Sequence, residues 1–324
     1  MKTLLKMVGV LVALVVVVAG GGVGYLMLAF PKVPPPAVVT LEPTPERLAR
    51  GKYLSDHVVG CTVCHSDRDW TKFSGPVKPG TEGKGGQEFL LGGAGAVYAK
   101  NITPAAIGSW SDGELQRAVT TGVSKDGTPL FPLMPYPHFG AMAADDMHAV
   151  LSYIRSWQAI DHQPPARTLN FPMNLIVRTI PTAATPQPRP SPTDQVAYGK
   201  YMVNASLCGD CHTPIDDRGQ PLPGRNFAGG MEFLETGYRV RSANITPDAD
   251  TGIGSWTEQQ FIDKFKAFET PSDAVLSDTE RRQNTPMPMT AYAGMAREDL
   301  AAIYAYLRTV PPVVNRVTRF PDAK

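Results

Sequence analysis

The sequence predicts a mainly α-helical protein: two tandem copies of one small helical domain with long loops, preceded by a transmembrane helix. Three observations carry that expectation. Short motifs of the first half recur in order in the second, apolar residues near the end of each half recur at helical spacing, and an uncharged apolar run opens the chain. The 324 residues amount to about twice a typical domain. Pro 31 and Gly 30 lie above the roughly 5% and 7% of ordinary chains and indicate many turns, while a hydrophobic share of 43% still supplies cores. Lys+Arg 31 against Asp+Glu 30 leaves a formal net charge of +1, which argues against a nucleic-acid or polyanion binder.

Lys2 and Lys6 precede the apolar run from Met7 to Phe30. The run exceeds both the roughly 20 residues that span hydrocarbon and the roughly 7–15 of a signal-peptide core. Lysines ahead of it place the rest of the chain outside the cytoplasm. The expectation is a single-pass anchor in the cytoplasmic membrane with the globular part on the periplasmic side. A cleaved signal peptide is the alternative, because Val17-Val18-Ala19 before Gly20 resembles a cleavage site. Pro31, Pro34, Pro35, Pro36, Pro43 and Pro45 predict an extended spacer that holds the body off the membrane. The organisation is therefore an anchor over 1–30, a Pro-rich tether over 31–45, domains over 46–162 and 194–324, and a Pro-rich strap over 163–193 between them. The apolar island Leu169 to Ile180 marks the strap as packed on one domain rather than solvated.

The repeat is read in five blocks. Gly51-Lys52-Tyr53 recurs as Gly199-Lys200-Tyr201, Cys61-Thr62-Val63-Cys64-His65 as Cys208-Gly209-Asp210-Cys211-His212, and Asn101-Ile102-Thr103-Pro104 as Asn244-Ile245-Thr246-Pro247. Ile107-Gly108-Ser109-Trp110 recurs as Ile253-Gly254-Ser255-Trp256, and Met142 with its helix as Met295 with its own. Pro45 to Arg50 opens a helix that runs into the first Cys motif, and Ser111 with Glu114 signals the cap of a short helix ending at Gly122. Met147, Val150, Leu151, Ile154 and Trp157, and likewise Leu300, Ile303, Tyr304 and Leu307, show helical spacing. No strand-rich pattern competes.

The four cysteines form two Cys-x-x-Cys pairs, each followed by histidine. Thiols one helical turn apart can each form a thioether to one haem vinyl group, and the adjacent histidine becomes the proximal iron ligand. A shared zinc ion would need ligands joined across far more chain than the usual spacing of about 15–20 residues. A thioredoxin-like pair needs no histidine after it. The cofactors expected are two haem c groups, bound through Cys61, Cys64, Cys208 and Cys211, with His65 and His212 on the irons.

The second half holds one histidine, His212, so its distal ligand is expected to be methionine, from Met231, Met287, Met289 and Met295. The first half offers Met134, Met142, Met147 and His138. Anchored on Met142 and Met295, Met134 falls opposite Met287, and each stands in a Met-Pro pair. His138 falls opposite Ala291. Met134 and Met287 are the ligands chosen, with Met289 as the alternative to Met287. Met142 and Met295 suit core packing. His57, His148 and His162 have no repeat partner and read as ordinary side chains. Phe131, Tyr136, Phe139 and Tyr292 are expected to give partners an apolar docking surface.

With these motifs in hand, the chain resembles the dihaem class I cytochromes c of bacteria over roughly residues 46–160 and 194–312. It is especially similar to the cytochrome c subunits that accept electrons from membrane-bound alcohol, aldehyde or gluconate dehydrogenases. Those subunits usually carry three haems, whereas two motifs stand here. The resemblance implies two class I cytochrome c domains and an electron carrier rather than an enzyme. Its partners would be redox proteins, a membrane dehydrogenase or respiratory complex, together with the membrane itself and no nucleic acid. A dihaem cytochrome c peroxidase is the alternative.

Overall fold

The computed structural model describes residues 1–217, 219–235, 238–270 and 272–321. Helices dominate it, as the sequence predicts. The helix α1 (Lys2–Ala29) buries none of its residues and runs unbroken through glycines 20–22. At about 1.5 Å per residue, its 28 residues outreach the ~30 Å hydrocarbon core. With a mean hydropathy of 2.5, it is long and apolar enough to cross a membrane by length and composition. The last carbonyls of a helix lack intrahelical donors. Here the Arg178 guanidinium donates to those of Leu26, Met27 and Phe30 at 3.3, 2.9 and 2.6 Å, a cation at the negative end of the helix dipole.

The Pro-rich stretch after α1 lies along the first half instead of standing free. Leu41 is buried and its N–H donates to Asp112 Oδ2 at 2.8 Å. The Ala37 carbonyl sits where only glycine, Gly113, leaves it room.

The first half contains α2 (Pro45–Tyr53), a π-helical turn (Leu54–Val58), α3 (Cys61–His65), β1 (Glu88–Leu90), β2 (Gly95–Tyr98), α4 (Pro104–Ile107), α5 (Asp112–Thr121), α6 (Tyr136–Ala141) and α7 (Ala144–Arg155). The α5 ends are those the sequence announces: a reciprocal Ser111–Glu114 capping box and Gly122 in the left-handed region at φ 77°. From the strap, β3 (Thr168–Leu169) pairs antiparallel with β2, Ala96 opposite Thr168, and α8 (Met173–Ile176) packs beside α1. The second half repeats the order, without a counterpart of α4 and with α12 added, through α9 (Gln195–Ala205), α10 (Cys208–His212), β4 (Glu232–Glu235), β5 (Tyr238–Arg241), α11 (Glu258–Lys266), α12 (Asp278–Arg281), α13 (Met289–Tyr292) and α14 (Arg297–Leu307). The small sheets β1–β2–β3 and β4–β5 are additions to the sequence expectation. Strands of two to four residues are too short to display alternation.

Each letter of the repeated Gly-Lys-Tyr motif has a structural use in Gly and Tyr. The helix α2 crosses α7 with Gly51 against the Ala149 carbonyl, and α9 crosses α14 with Gly199 against the Ala302 carbonyl. Any Cβ at either glycine would collide with that backbone. The tyrosines then reach into the opposite half. The Tyr53 hydroxyl donates to Asp299 on α14 and accepts the Ala296 N–H at 3.0 Å. Reciprocally, Tyr201 donates to Asp146 on α7 at 2.6 Å and accepts the Ala143 N–H at 3.4 Å. Asp146 is 1% exposed and also takes two bonds from Arg50 and one from Arg189 of the strap. Burial alone would raise its pKa; the bonds from Arg50 and Tyr201 override that and hold the carboxyl below the usual carboxylate range. One apolar core, containing Leu54, Met147 and Leu151 as well as Met202, Leu300 and Leu307, continues across both halves.

Two histidines without repeat partners also span the halves. His57 donates from Nδ1 to the Ala291 carbonyl at 3.0 Å. His138 contacts Asn204 Oδ1 through Nδ1 at 2.8 Å and Asp210 Oδ1 through Nε2 at 2.9 Å. The Asp210 bond raises the His138 pKa against the opposing effect of burial.

Two predictions follow from this junction. Asp146→Ala strands the Arg50 charge and should cost about 3–5 kcal/mol, against about 1.5–3 for Tyr201→Phe, which removes one bond to a charged acceptor; denaturant unfolding followed by helical dichroism checks the ranking. Because the folded pKa of His138 is raised, its ion pair stabilises fully below the unfolded value near 6.5 and is lost as pH rises through the folded value. The melting-temperature gap between wild type and His138→Gln should therefore be wider at about pH 5.5 than at about pH 9; a gap of equal width would remove the ion pair from the account.

Candidate functional site

Both Cys-x-x-Cys-His motifs form one short helix each, α3 and α10, entered from a left-handed residue: Gly60 at φ 68° and Leu207 at φ 59°. Glycine takes that conformation freely, whereas leucine holds it under strain. One turn of helix sets the two thiols of each pair on the same side. All four cysteines are free of disulfides, and burial pushes the Cys61 thiol up to about 12.

The histidines are fixed alike. His65 Nδ1 bonds the Lys100 carbonyl at 2.6 Å, and His212 Nδ1 bonds the Ala243 carbonyl at 2.7 Å. A carbonyl only accepts, so Nδ1 carries the hydrogen and Nε2 keeps its lone pair for a metal. Burial lowers both histidine pKa values, which favours the neutral ring.

These two carbonyls belong to the residues just before Asn101 and Asn244, and this explains the Asn-x-Thr block. Asn101 Nδ2 donates to the carbonyls of Ile160 and His162 at 2.8 and 2.9 Å, and its Oδ1 accepts the N–H and hydroxyl of Thr103, both at 2.8 Å. Asn244 Nδ2 donates to the Val313 carbonyl at 2.8 Å while its Oδ1 accepts from Thr246 at 3.0 and 2.7 Å. Each asparagine thus ties the loop behind the histidine to the irregular segment that follows the last helix of its half. Sequence reasoning missed the glycines that complete this support. Gly85 and Gly229, at φ 73° and 69°, donate their N–H to the carbonyls of His65 and His212 at 2.8 and 2.7 Å. The signal was present as a sixth repeated block, Gly85-Gly86-Gln87-Glu88-Phe89-Leu90 against Gly229-Gly230-Met231-Glu232-Phe233-Leu234. It sets Met231 opposite Gln87.

The two Met-Pro segments adopt the same turn. The N–H of Tyr136 donates to the Met134 carbonyl and that of Met289 to the Met287 carbonyl, both at 2.8 Å, and Pro135 and Pro288 are the N-caps of α6 and α13. In the second half Cys208, Cys211, His212 and Met287 line one cavity of about 580 Å³, shared with Met289, Met295, Trp256 and Tyr292. In the first half Cys61, Met134 and Trp110 pack on the apolar core. Met142 and Met295 are buried at 1% and 2%. Both ring nitrogens of His138 are engaged by the other half. The docking surface drawn from Tyr136 and Phe139 is corrected: they are 0% and 5% exposed. The Tyr136 ring fills the space that Gly122 leaves open at the end of α5, where a Cβ would approach it to 2.5 Å. Tyr292 lines the cavity and donates to the Ser206 carbonyl at 2.7 Å.

The donor set fits covalent haem: paired free thiols, an imidazole held by Nδ1 with Nε2 open, and a thioether on one apolar-walled space within the ~300–1,000 Å³ of cofactor sites. Residues 196–311 match the cytochrome c family model, so the second half holds a cytochrome c domain, the class of domain that carries haem c. Among individual proteins, the chain is 29% identical over 283 residues to the cytochrome c subunit of a quinone-dependent alcohol dehydrogenase from Komagataeibacter europaeus, covering 82% of this chain and 56% of that one. It is 28% identical over 301 residues to the fructose dehydrogenase cytochrome subunit of Gluconobacter japonicus, covering 83% and 55%. It is 24% identical over 267 residues to a dihaem c-type cytochrome of Cereibacter sphaeroides, covering 78% and 83%. The chain spans little more than half the length of the dehydrogenase subunits it matches.

Asn244→Ala removes the shorter of the two bonds to the Val313 carbonyl and leaves the buried Thr246 N–H without its partner. At about 1–3 kcal/mol per buried orphan, it should lower the unfolding midpoint clearly; an unchanged midpoint would show that the clamp is dispensable.

Proposed function

We propose that the chain is a membrane-anchored dihaem c-type cytochrome that relays electrons on the outer side of the cytoplasmic membrane, between a dehydrogenase and a respiratory acceptor. The observation that carries this reading is the duplicated histidine support: the same Nδ1-to-carbonyl bond, the same asparagine clamp and the same glycine behind each Cys-x-x-Cys-His helix. When bound, haem iron supplies a one-electron couple between the ferric and ferrous states. Cys61 and Cys64 would hold the first group, Cys208 and Cys211 the second. His65 and His212 would offer Nε2 to the iron of each group, and Met134 and Met287 on the Met-Pro turns would offer their thioethers. Pro135 and Pro288 fix the backbone of those turns, so each thioether is presented without a large ordering cost. A histidine–methionine ligand pair would raise the potential and, with both ligand places supplied by the chain, would leave none for peroxide, which suits a relay.

The two tandem domains are 46–162 and 194–324, and α1 is the membrane anchor. The named relatives, subunits of alcohol and fructose dehydrogenases, support a dehydrogenase as the donor.

Met134→Ala and Met287→Ala, each in the full holoprotein, test the ligand set. Each should convert one of two haems to high spin and lower one of two midpoint potentials, since methionine ligation raises potential. A Met287→Ala protein with an unaltered spectrum, beside a Met289→Ala protein that loses the methionine signature, would transfer the role to Met289.

A further inference from the structure

The loop over residues 67–78 begins two positions after His65, yet its tip lies in the other half. The loop is closed by its own bonds: Asp69 N–H to the Pro76 carbonyl and Lys78 N–H to the Asp67 carbonyl, both 2.8 Å. The Arg68 guanidinium grips its tip through the carbonyls of Ser74 and Gly75 at 2.5 and 2.7 Å. Ser74 is fully buried at 0% exposure and holds φ 60°, in the left-handed region.

The N–H and the hydroxyl of Ser74 are both spent on the segment around Met287. The Ser74 N–H donates to Asn284 Oδ1 at 2.7 Å, and Asn284 Nδ2 returns a bond to the Lys72 carbonyl at 3.1 Å. The Ser74 hydroxyl donates to the Met287 carbonyl at 2.6 Å and accepts the Met289 N–H at 2.8 Å. One oxygen of the first half thus holds the backbone on both sides of Pro288. Next to it Phe73 stacks on Phe268 with ring centroids 4.8 Å apart, and both rings line the cavity that Met287 lines. The Met134 turn has the same local bond from Tyr136. Among the described residues, no hydrogen bond from the second half reaches its Met134–Tyr136 stretch.

We propose that Ser74 is a positioning residue for the Met287 thioether, so that the loop following the first haem motif sets the axial ligation of the second haem. The inference rests on Met287 being that ligand. A hydroxyl buried between two backbone groups fixes the turn by two hydrogen bonds, and its loss leaves the turn free to rotate the side chain away from the cavity. The two haems are then unequal by construction: the backbone of one turn is braced directly across the junction, whereas the other is reached only through His138, four residues beyond Met134.

The test uses the full holoprotein in two forms, Ser74→Ala and Ser74→Gly. Glycine accepts φ 60° without strain, so the second variant removes the hydroxyl while keeping the loop conformation even if the alanine variant folds poorly. Spectroelectrochemical titration should show one midpoint potential shifted downward with partial loss of the ferric methionine–iron absorption, and the other potential unchanged. The shifted haem should be the one altered by Met287→Ala. Tyr53→Phe, which weakens the junction away from this turn, should leave both potentials in place. Unchanged potentials in both Ser74 variants, with Met287→Ala still effective, would overturn the role of Ser74 alone. An equal shift in Tyr53→Phe would overturn it as well, by making general loosening of the junction sufficient. A silent Met287→Ala would overturn the ligand assignment and this proposal with it.

Discussion

A histidine offers a chosen ring nitrogen in a fixed direction when the other N–H is held by a partner, and in this protein a backbone carbonyl holds it. The bonds from His65 to Lys100 and from His212 to Ala243 fix both the tautomer and the ring plane. The carbonyls can do this because the residue after each is an asparagine tied by its side chain to the segment leaving the last helix of that half. Cys-x-x-Cys-His helix, glycine support, asparagine clamp and final helix therefore form one mechanical unit, present twice.

Neither unit stands alone. Each motif glycine permits a close helix crossing, and each motif tyrosine, two residues along, hands its hydroxyl to an aspartate of the opposite half. Asp146 and Asp299 open α7 and α14, where a carboxylate suits the positive end of the helix dipole. The exchange ties the start of each final helix to the other half. Small domains bury a limited share of their surface, and the continuous core across the junction offsets that limit.

Much of this was legible before any coordinates. The repeat gave the order of helices, the capping box and Gly122 gave α5, and symmetry paired Met134 with Met287. What stayed hidden was hidden for physical reasons. Strands such as Thr168–Leu169 are too short to carry a period. Tyr136 and Phe139 read as surface aromatics because a Pro-rich loop is normally exposed, whereas Gly122 opened room to bury Tyr136. The cross-half partners of Ser74, His57 and His138 lie more than 60 residues away in sequence, and no local pattern encodes such contacts. The Gly-Gly block at 85 and 229 was readable and was passed over because its strands were not anticipated.

A relay of the proposed kind requires each half to carry its own covalently bound haem. Intact-mass measurement of the denatured protein, matured in a host that attaches haem c, tests this most directly, with peptide mapping of the segments around Cys61–His65 and Cys208–His212. The account predicts a mass above the polypeptide by two haems, one on each segment. A mass increased by a single haem, or two haems absent from either segment, would contradict it.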